Sequence, residues 1–297
     1  MDRSNNKYFI IFIGIMGVVL FSAKAVMVKL AYQYNVSPVN LLMFRMLFAL
    51  PFYSIMIIIY KPEASHKRTK NDYITLFLFG FVGYYLASFF DFWGLEYIKA
   101  SIERVILFIY PTIVIVLSKL FLKRPISRVQ IIAIVLTYIG VVIALWDDFS
   151  IQGEAFLIGA ILIFLSALTY ASYLVGSDWL IPKFGVITFT SYAMIVSCVC
   201  VVVHYTIFER TSLIGYHQNV YWLGLAMAFL STVVPSYLVS WTIKKMGASD
   251  FSILGSLGPI STIILASIFL EEKITILQII GTLIVISGII IISKNKK

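Results

Sequence analysis

Five charged residues lie inside long apolar runs: Lys24, Arg45, Asp91, Glu103 and Arg104. An ionised side chain at the centre of a membrane span costs roughly 2.5–3.5 kcal/mol on insertion scales, so each needs a partner or a purpose. Lys29 and Lys119 lie close to span ends and can snorkel to the headgroups. Asp91 and Arg104 sit at equal depth on either side of the turn near residues 97–98, roughly 10 Å in at 1.5 Å per residue. That permits an ion pair between antiparallel neighbours. Two readings stay open. The pair staples two helices, or Asp91, Glu103 and Arg104 line a cavity, where they could bind a ligand or exchange protons. Lys24 and Arg45 flank the turn centred on residue 35 and lie near mid-membrane, at about 11 and 10 positions from it. Two cations at one depth repel unless carboxylates, carbonyls or an anionic ligand meet them. Arg45 reads equally as a structural residue bonded to carbonyls; Lys24 leans towards ligand binding. The five charges sum to +1, which favours anionic or zwitterionic ligands over cations.

Those side chains need a frame. The chain has 297 residues, 61% hydrophobic and 12% charged, with mean hydropathy +0.97. Soluble domains are about 25% charged, so a soluble enzyme, a disordered chain and a secreted disulfide scaffold are excluded. Ten apolar segments follow: 8–32, 38–60, 73–95, 101–122, 128–146, 154–174, 186–208, 220–242, 249–270 and 275–293. Each approaches the ~20 residues that a transmembrane helix requires. Fifteen Lys and Arg residues fall on one side of this pattern, including the basic 61–72 connection, and three (Lys99, Arg210, Lys273) on the other. The richer side is the cytoplasm, and it holds both termini. The 61–72 stretch is a topology determinant rather than a nucleic-acid patch. Cys198 and Cys200, two positions apart, point to different helix faces and form neither a disulfide nor a metal site.

The chain also repeats itself. Between Tyr73 and Trp146, an offset of 148 gives 17 identities in 74 pairs, against roughly six expected from so biased a composition. They include Ser88/Ser236, Trp93/Trp241, Pro111/Pro259, Gln130/Gln278 and Gly140/Gly288. A unit of five spans is odd, so the second copy enters the membrane from the opposite side. Lys123 and Arg124 accordingly align with Glu271 and Glu272. Inverted repeats are the mark of alternating-access transporters, whose site lies between the halves.

The stretches from Ala100 to Gly140 and from Gly247 to Ile291 resemble the EamA family of the drug/metabolite transporter superfamily. The second copy carries the family pattern: a small residue, mid-span Pro259, then FLEEKIT opening the last span. The first departs from it at Lys123 and Arg124. The resemblance implies ten spans in two inverted halves, cytoplasmic termini, and export or exchange of small metabolites.

Other residues take shape from the repeat. Pro111 and Pro259 predict symmetric bends or hinges, with Tyr110 and Gly258 just before them. Trp93 and Trp241 are interfacial anchors or walls of the central cavity. Ser88 and Ser236 offer hydroxyls, or merely allow close packing.

The reading is an all-α polytopic protein of the plasma or bacterial inner membrane, with ten transmembrane helices in two inverted five-helix repeats, 1–148 and 149–297. It predicts a secondary transporter, an exporter of an anionic or zwitterionic metabolite such as an amino acid. Substrate contact falls to Lys24, Arg45, Asp91, Glu103, Arg104, Tyr110, Trp93, Trp241, Ser88 and Ser236. Protons are a candidate coupling ion, and a homodimer stays open. The alternative is a non-transporting receptor or scaffold. No GxxxxGK[ST], GxSxG or HExxH motif occurs, so no enzyme, cofactor, metal or nucleic-acid partner is expected.

Overall fold

The computed structural model describes residues 3–60, 68–146, 154–255 and 257–294. Most of the basic 61–72 connection, with Lys61 and Lys67, lies outside them, as do Lys296 and Lys297. The regular structure among the described residues is all helical, without strands. Seven helical rods are long and apolar enough to cross a membrane: Tyr8–Tyr32, Pro38–Ile59, Lys70–Tyr97, Ala155–Phe184, Val186–Glu209, Gln218–Met246 and Ala248–Phe269. Tyr110–Leu122 and Arg128–Gly140 are shorter apolar helices. Large hydrophobics such as Ile58, Phe121 and Phe208 face outward, as lipid contact requires.

In chain order the α-helices are α1 Arg3–Tyr32, α2 Pro38–Ile59, α3 Lys70–Gly80, α4 Ala87–Tyr97, α5 Ala100–Leu107, α6 Tyr110–Leu122 and α7 Arg128–Leu145. Then come α8 Glu154–Phe184, α9 Val186–His204, α10 Gln218–Ala228, α11 Val234–Met246, α12 Ala248–Leu254, α13 Leu257–Phe269 and α14 Ile276–Lys294. A π-helical turn, Phe81–Leu86, joins α3 to α4; another, Phe229–Val233, joins α10 to α11. A third, Tyr205–Glu209, follows α9.

Local chemistry sets the boundaries. Ser37 accepts a hydrogen bond from the Asn40 amide at the start of α2, where Pro38 needs no donor. Capping boxes open α3 (Thr69, Asp72) and α7 (Ser127, Gln130), and Thr275 with Gln278 makes the same reciprocal pair before α14. The turns after α6 and α13 both pass through a left-handed residue, Lys123 (φ 53) and Glu271 (φ 57). The amides of Arg124 and Glu272 reach back to the carbonyls of Ser118 and Ala266, each at 3.3 Å.

Some boundaries differ from expectation. The segment expected over 101–122 is two helices, α5 and α6, and the one expected over 154–174 runs on. Helix α8 continues past polar Ser177 and Asp178 to Phe184 and stops at Gly185, whose φ of 79 ends the helix. The polar pair is accommodated: Ser177 donates to the Tyr173 carbonyl, and Asp178 is held by Arg124.

Packing is paired across the sequence. α1 packs on α11 and α13, and α8 on α4 and α6. α2 meets α9, α5 meets α13, and α7 meets α14. The centre is dense with small polar side chains, including buried Ser22, Ser88, Ser231, Thr232, Ser236 and Thr262.

Candidate functional site

Four of the five predicted charges converge where α1, α4 and α5 meet. Lys24 Nζ lies 2.6 Å from Asp91 Oδ2, and both side chains are almost fully buried. The expected Asp91–Arg104 pair is therefore replaced by Lys24–Asp91. Counting depth from a turn compares only sequential spans; it cannot see that α1 packs against both α4 and α5. Glu103 is wholly buried and lies in the fields of Arg104, Asp91 and Lys24. Its Oε2 is 3.6 Å from Arg104 Nε, too long for a strong bond. Arg104 is fixed instead by Thr262 Oγ1 at 3.2 Å and by the Phe21 carbonyl at 2.9 Å. Phe21 offers its ring to both cations, 5.4 Å from Lys24 Nζ and 5.9 Å from the Arg104 guanidinium.

Arg45 is set apart by its partners. Fully buried on α2, it donates from Nε to Thr232 Oγ1 at 2.6 Å and from Nη1 to Ser88 Oγ at 3.3 Å. Phe92 lies beneath it at 5.4 Å. Among the described residues its Nη2 has no hydrogen-bond partner, and no carboxylate pairs with it within 4.0 Å. A buried cation without a directly bonded anion is costly, and the hydroxyls of Thr232 and Ser88 meet part of that cost.

Arg104 opens onto a cavity of about 30 Å³, enough for a water or two. Phe21, Ser22, Tyr110, Tyr170 and Gly255 line it with Arg104. Tyr110 reaches Gly255 so closely that a Cβ there would collide with its hydroxyl. The rings of Phe21 and Tyr170 stack at 5.8 Å, and Tyr110 meets Tyr170 edge-on at 5.4 Å. Tyr170 and Thr262 escape reading by charge or motif. The repeat offers one signal for Tyr170, which lies 148 positions after Ser22, also in the lining.

The remaining predicted residues are spread out. Ser88 serves Arg45, whereas Ser236 bonds to Tyr53 Oη at 2.9 Å. Pro111 and Pro259 each lie in the first turn of a helix that follows an interruption, at 108–109 and at Gly255. The rods are thus broken rather than bent by them, and Pro259 also lines the cavity. Neither Trp reaches the cluster. Trp93 is 39% exposed and packs on Phe89. Trp241 packs edge-on against Phe9 and lies under Lys245. Both positions suit interfacial anchors.

Comparison with known proteins gives this arrangement a context. Residues 8–146 and 157–294 each match the model of the EamA-like transporter family. The chain is 30% identical over 271 residues to the uncharacterized transporter YcbK of Bacillus subtilis, spanning 90% of this chain and 87% of that protein. It is 25% identical over 275 residues to an uncharacterized transporter of Archaeoglobus fulgidus, spanning 90% and 93%. A solved crystal structure shares the fold with a TM-score of 0.75 at 13% identity, over 95% of this chain and 97% of that one. With apolar spans along its length and two matches that together cover most of it, the chain is an integral membrane protein and belongs to the EamA-like transporter family.

Proposed function

We propose that the chain is a secondary transporter that exports a small anionic or zwitterionic metabolite, such as an amino acid, by alternating access. The observation that carries this reading is the buried group Lys24, Asp91, Glu103 and Arg104 beside an aromatic-lined cavity, with Arg45 unmatched nearby. A carboxylate on the substrate would be met by Arg104 or Arg45. An ammonium group would be met by Glu103 or Asp91. Tyr110 shapes the pocket, and Ser88 and Ser236 set the hydroxyl lining behind it. At about 30 Å³ the cavity is too small for such a solute, so uptake of substrate requires the rods to move apart.

The frame proposed is ten spans in two inverted halves, 1–148 and 149–297, in the cytoplasmic membrane with both termini inside. Support comes from the two family matches, from helix pairings that exchange α1/α11 for α8/α4, and from identical turns of opposite charge at residues 123–124 and 271–272. Protons are the proposed coupling ion, carried by Asp91 and Glu103.

The test is flux in proteoliposomes, with the substrate chosen by comparing external metabolites with and without overproduction. Lys24→Ala and Asp91→Asn, made together, should abolish flux; unchanged flux would remove the residue assignment. Flux indifferent to an imposed pH gradient would remove the proton.

A further inference from the structure

The turns after α6 and α13 have one backbone and opposite charge, Lys123-Arg124 against Glu271-Glu272. The basic turn is engaged. Arg124 grips Asp178 of α8 as a fork, Nη1 to Oδ2 at 2.6 Å and Nη2 to Oδ1 at 3.0 Å. Asp178 Oδ2 also accepts the Ala248 amide at 3.0 Å, holding the first residue of α12. Gly247 fits beneath for two reasons: its φ is +84, and a Cβ would lie 2.5 Å from Arg124 Nη1. The seven residues of α12 then lead to Gly255 in the cavity wall. The fork and the cavity wall are therefore joined through one short helix, α12.

Among the described residues no ion pair or side-chain hydrogen bond holds Glu271 or Glu272 of the acidic turn. The residue 148 positions before Asp178 is Leu30, and its neighbour is Lys29. Lys29 Nζ donates to the Leu95 carbonyl at 3.0 Å and makes no ion pair among the described residues. Glu272, ahead of Glu96, is the carboxylate whose field it feels most. Glu272 is thus the repeat mate of Arg124, and Lys29 stands one position from the mate of Asp178: two pairs of opposite polarity, of which only Arg124–Asp178 is joined. Reversing the charges keeps the attraction at both ends while leaving the basic turn on the Lys- and Arg-rich side.

We propose that Arg124–Asp178 and Lys29–Glu272 are paired gates that close in turn at opposite ends of the bundle. This rests on the alternating-access reading above. When the halves exchange conformations, Lys29 leaves Leu95 for Glu272 as Arg124 releases Asp178 and Ala248. The Arg124 side chain is 46% exposed and that of Asp178 only 8%. A half-exposed pair is weak enough to open in every cycle, shifting the balance of states by a factor of about three to five.

The test uses the full chain in lipid vesicles, with Cys198→Ser and Cys200→Ser removing the native thiols. Lys29→Cys and Glu272→Cys report closure of the second gate as disulfide yield under mild oxidation. Adding Arg124→Gln should raise that yield about threefold. Asp178→Asn should do the same; it keeps an acceptor for the Ala248 amide and guards against misfolding as the cause. Unchanged yield in both variants, or full yield with the fork intact, overturns the gates. No substrate is needed for this readout. Reciprocal cross-linking without flux of any solute would count against transport and leave the gates. Intact flux with unresponsive cross-linking would overturn the gates alone.

Discussion

The two halves of the chain share a frame but divide the chemistry. Among the described residues all six buried charges, Asp72 at the start of α3 and the five inside the spans, belong to the first half. The residues 148 positions on from Lys24, Arg45, Asp91, Glu103 and Arg104 are Ser172, Ala193, Val239, Phe251 and Ser252. The frame itself recurs: the caps Ser127/Gln130 and Thr275/Gln278, the π-helical turns beginning at Phe81 and Phe229, the interrupted rods α5–α6 and α12–α13. The second half answers with hydroxyls and space. Thr232 holds Arg45, Thr262 holds Arg104, and Gly255 makes room for Tyr110. A duplicated fold can thus place charge in one copy and the groups that replace its hydration in the other.

That division is broken most severely at Asp91. Asp91→Ala strands Lys24 as a buried cation, a loss of about 3–5 kcal/mol for one partner of a buried pair. Val239→Ala, at the matching position of the second half, should cost only about 1 kcal/mol. Thermal unfolding of the two purified variants in one detergent measures the gap. Equal losses would mean that Lys24 finds another partner and that the asymmetry carries little energy. Replacing Lys24 and Asp91 together by Met and Leu should restore much of the stability, because an ion pair exchanged for packed apolar groups is often neutral.

A smaller effect is expected where the halves touch. Gly255→Ala drives a methyl into the Tyr110 hydroxyl, and such overpacking costs about 1–3 kcal/mol. Tyr110→Phe removes the colliding atom and should recover most of that loss in the double variant. The same unfolding measurement checks it. If Tyr110→Phe gives no rescue, the contact between the first half's ring and the second half's glycine does not set the cavity wall.

Much of this frame was legible because hydropathy reports on lipid contact, which is a local property of a segment. The starts at Pro38 and Val186 follow from residue types alone, whereas Pro111 and Pro259 predict bends where the structure has the first turns of separate helices. The burial of the five charges was also legible, since an ionised group inside an apolar run must turn away from lipid. The partners were not. Lys24 meets Asp91 because α1 packs against α4, and Arg104 meets Thr262 because α5 packs against α13; both are contacts between segments far apart in sequence. Trp93 and Trp241 illustrate the same limit: they recur at matched positions, yet Trp93 is exposed beside Phe89 and Trp241 packs on Phe9, both away from the Arg104 cavity. The run of α8 to Phe184 carries Asp178 to Arg124, again a partner supplied from elsewhere.

The finest test concerns the frame alone. Ser127 accepts from the Gln130 amide at 3.1 Å, and Thr275 from the Gln278 amide at 3.2 Å, while each Gln returns a bond to the cap's own amide. Ser127→Ala and Thr275→Ala should each cost about 1 kcal/mol, the usual value of an N-cap. Their effects should add in the double variant, since the two turns share no partner. Equal and additive losses would mark the caps as equivalent parts of a duplicated scaffold, in contrast to the unequal losses at Asp91 and Val239. A cap in one half that matters several times more than its counterpart would instead mean that the asymmetry extends from the buried charges into the scaffold. The turn at Thr275 lies beside Glu271 and Glu272, so a larger loss there would point to the acidic turn as the more strained of the two.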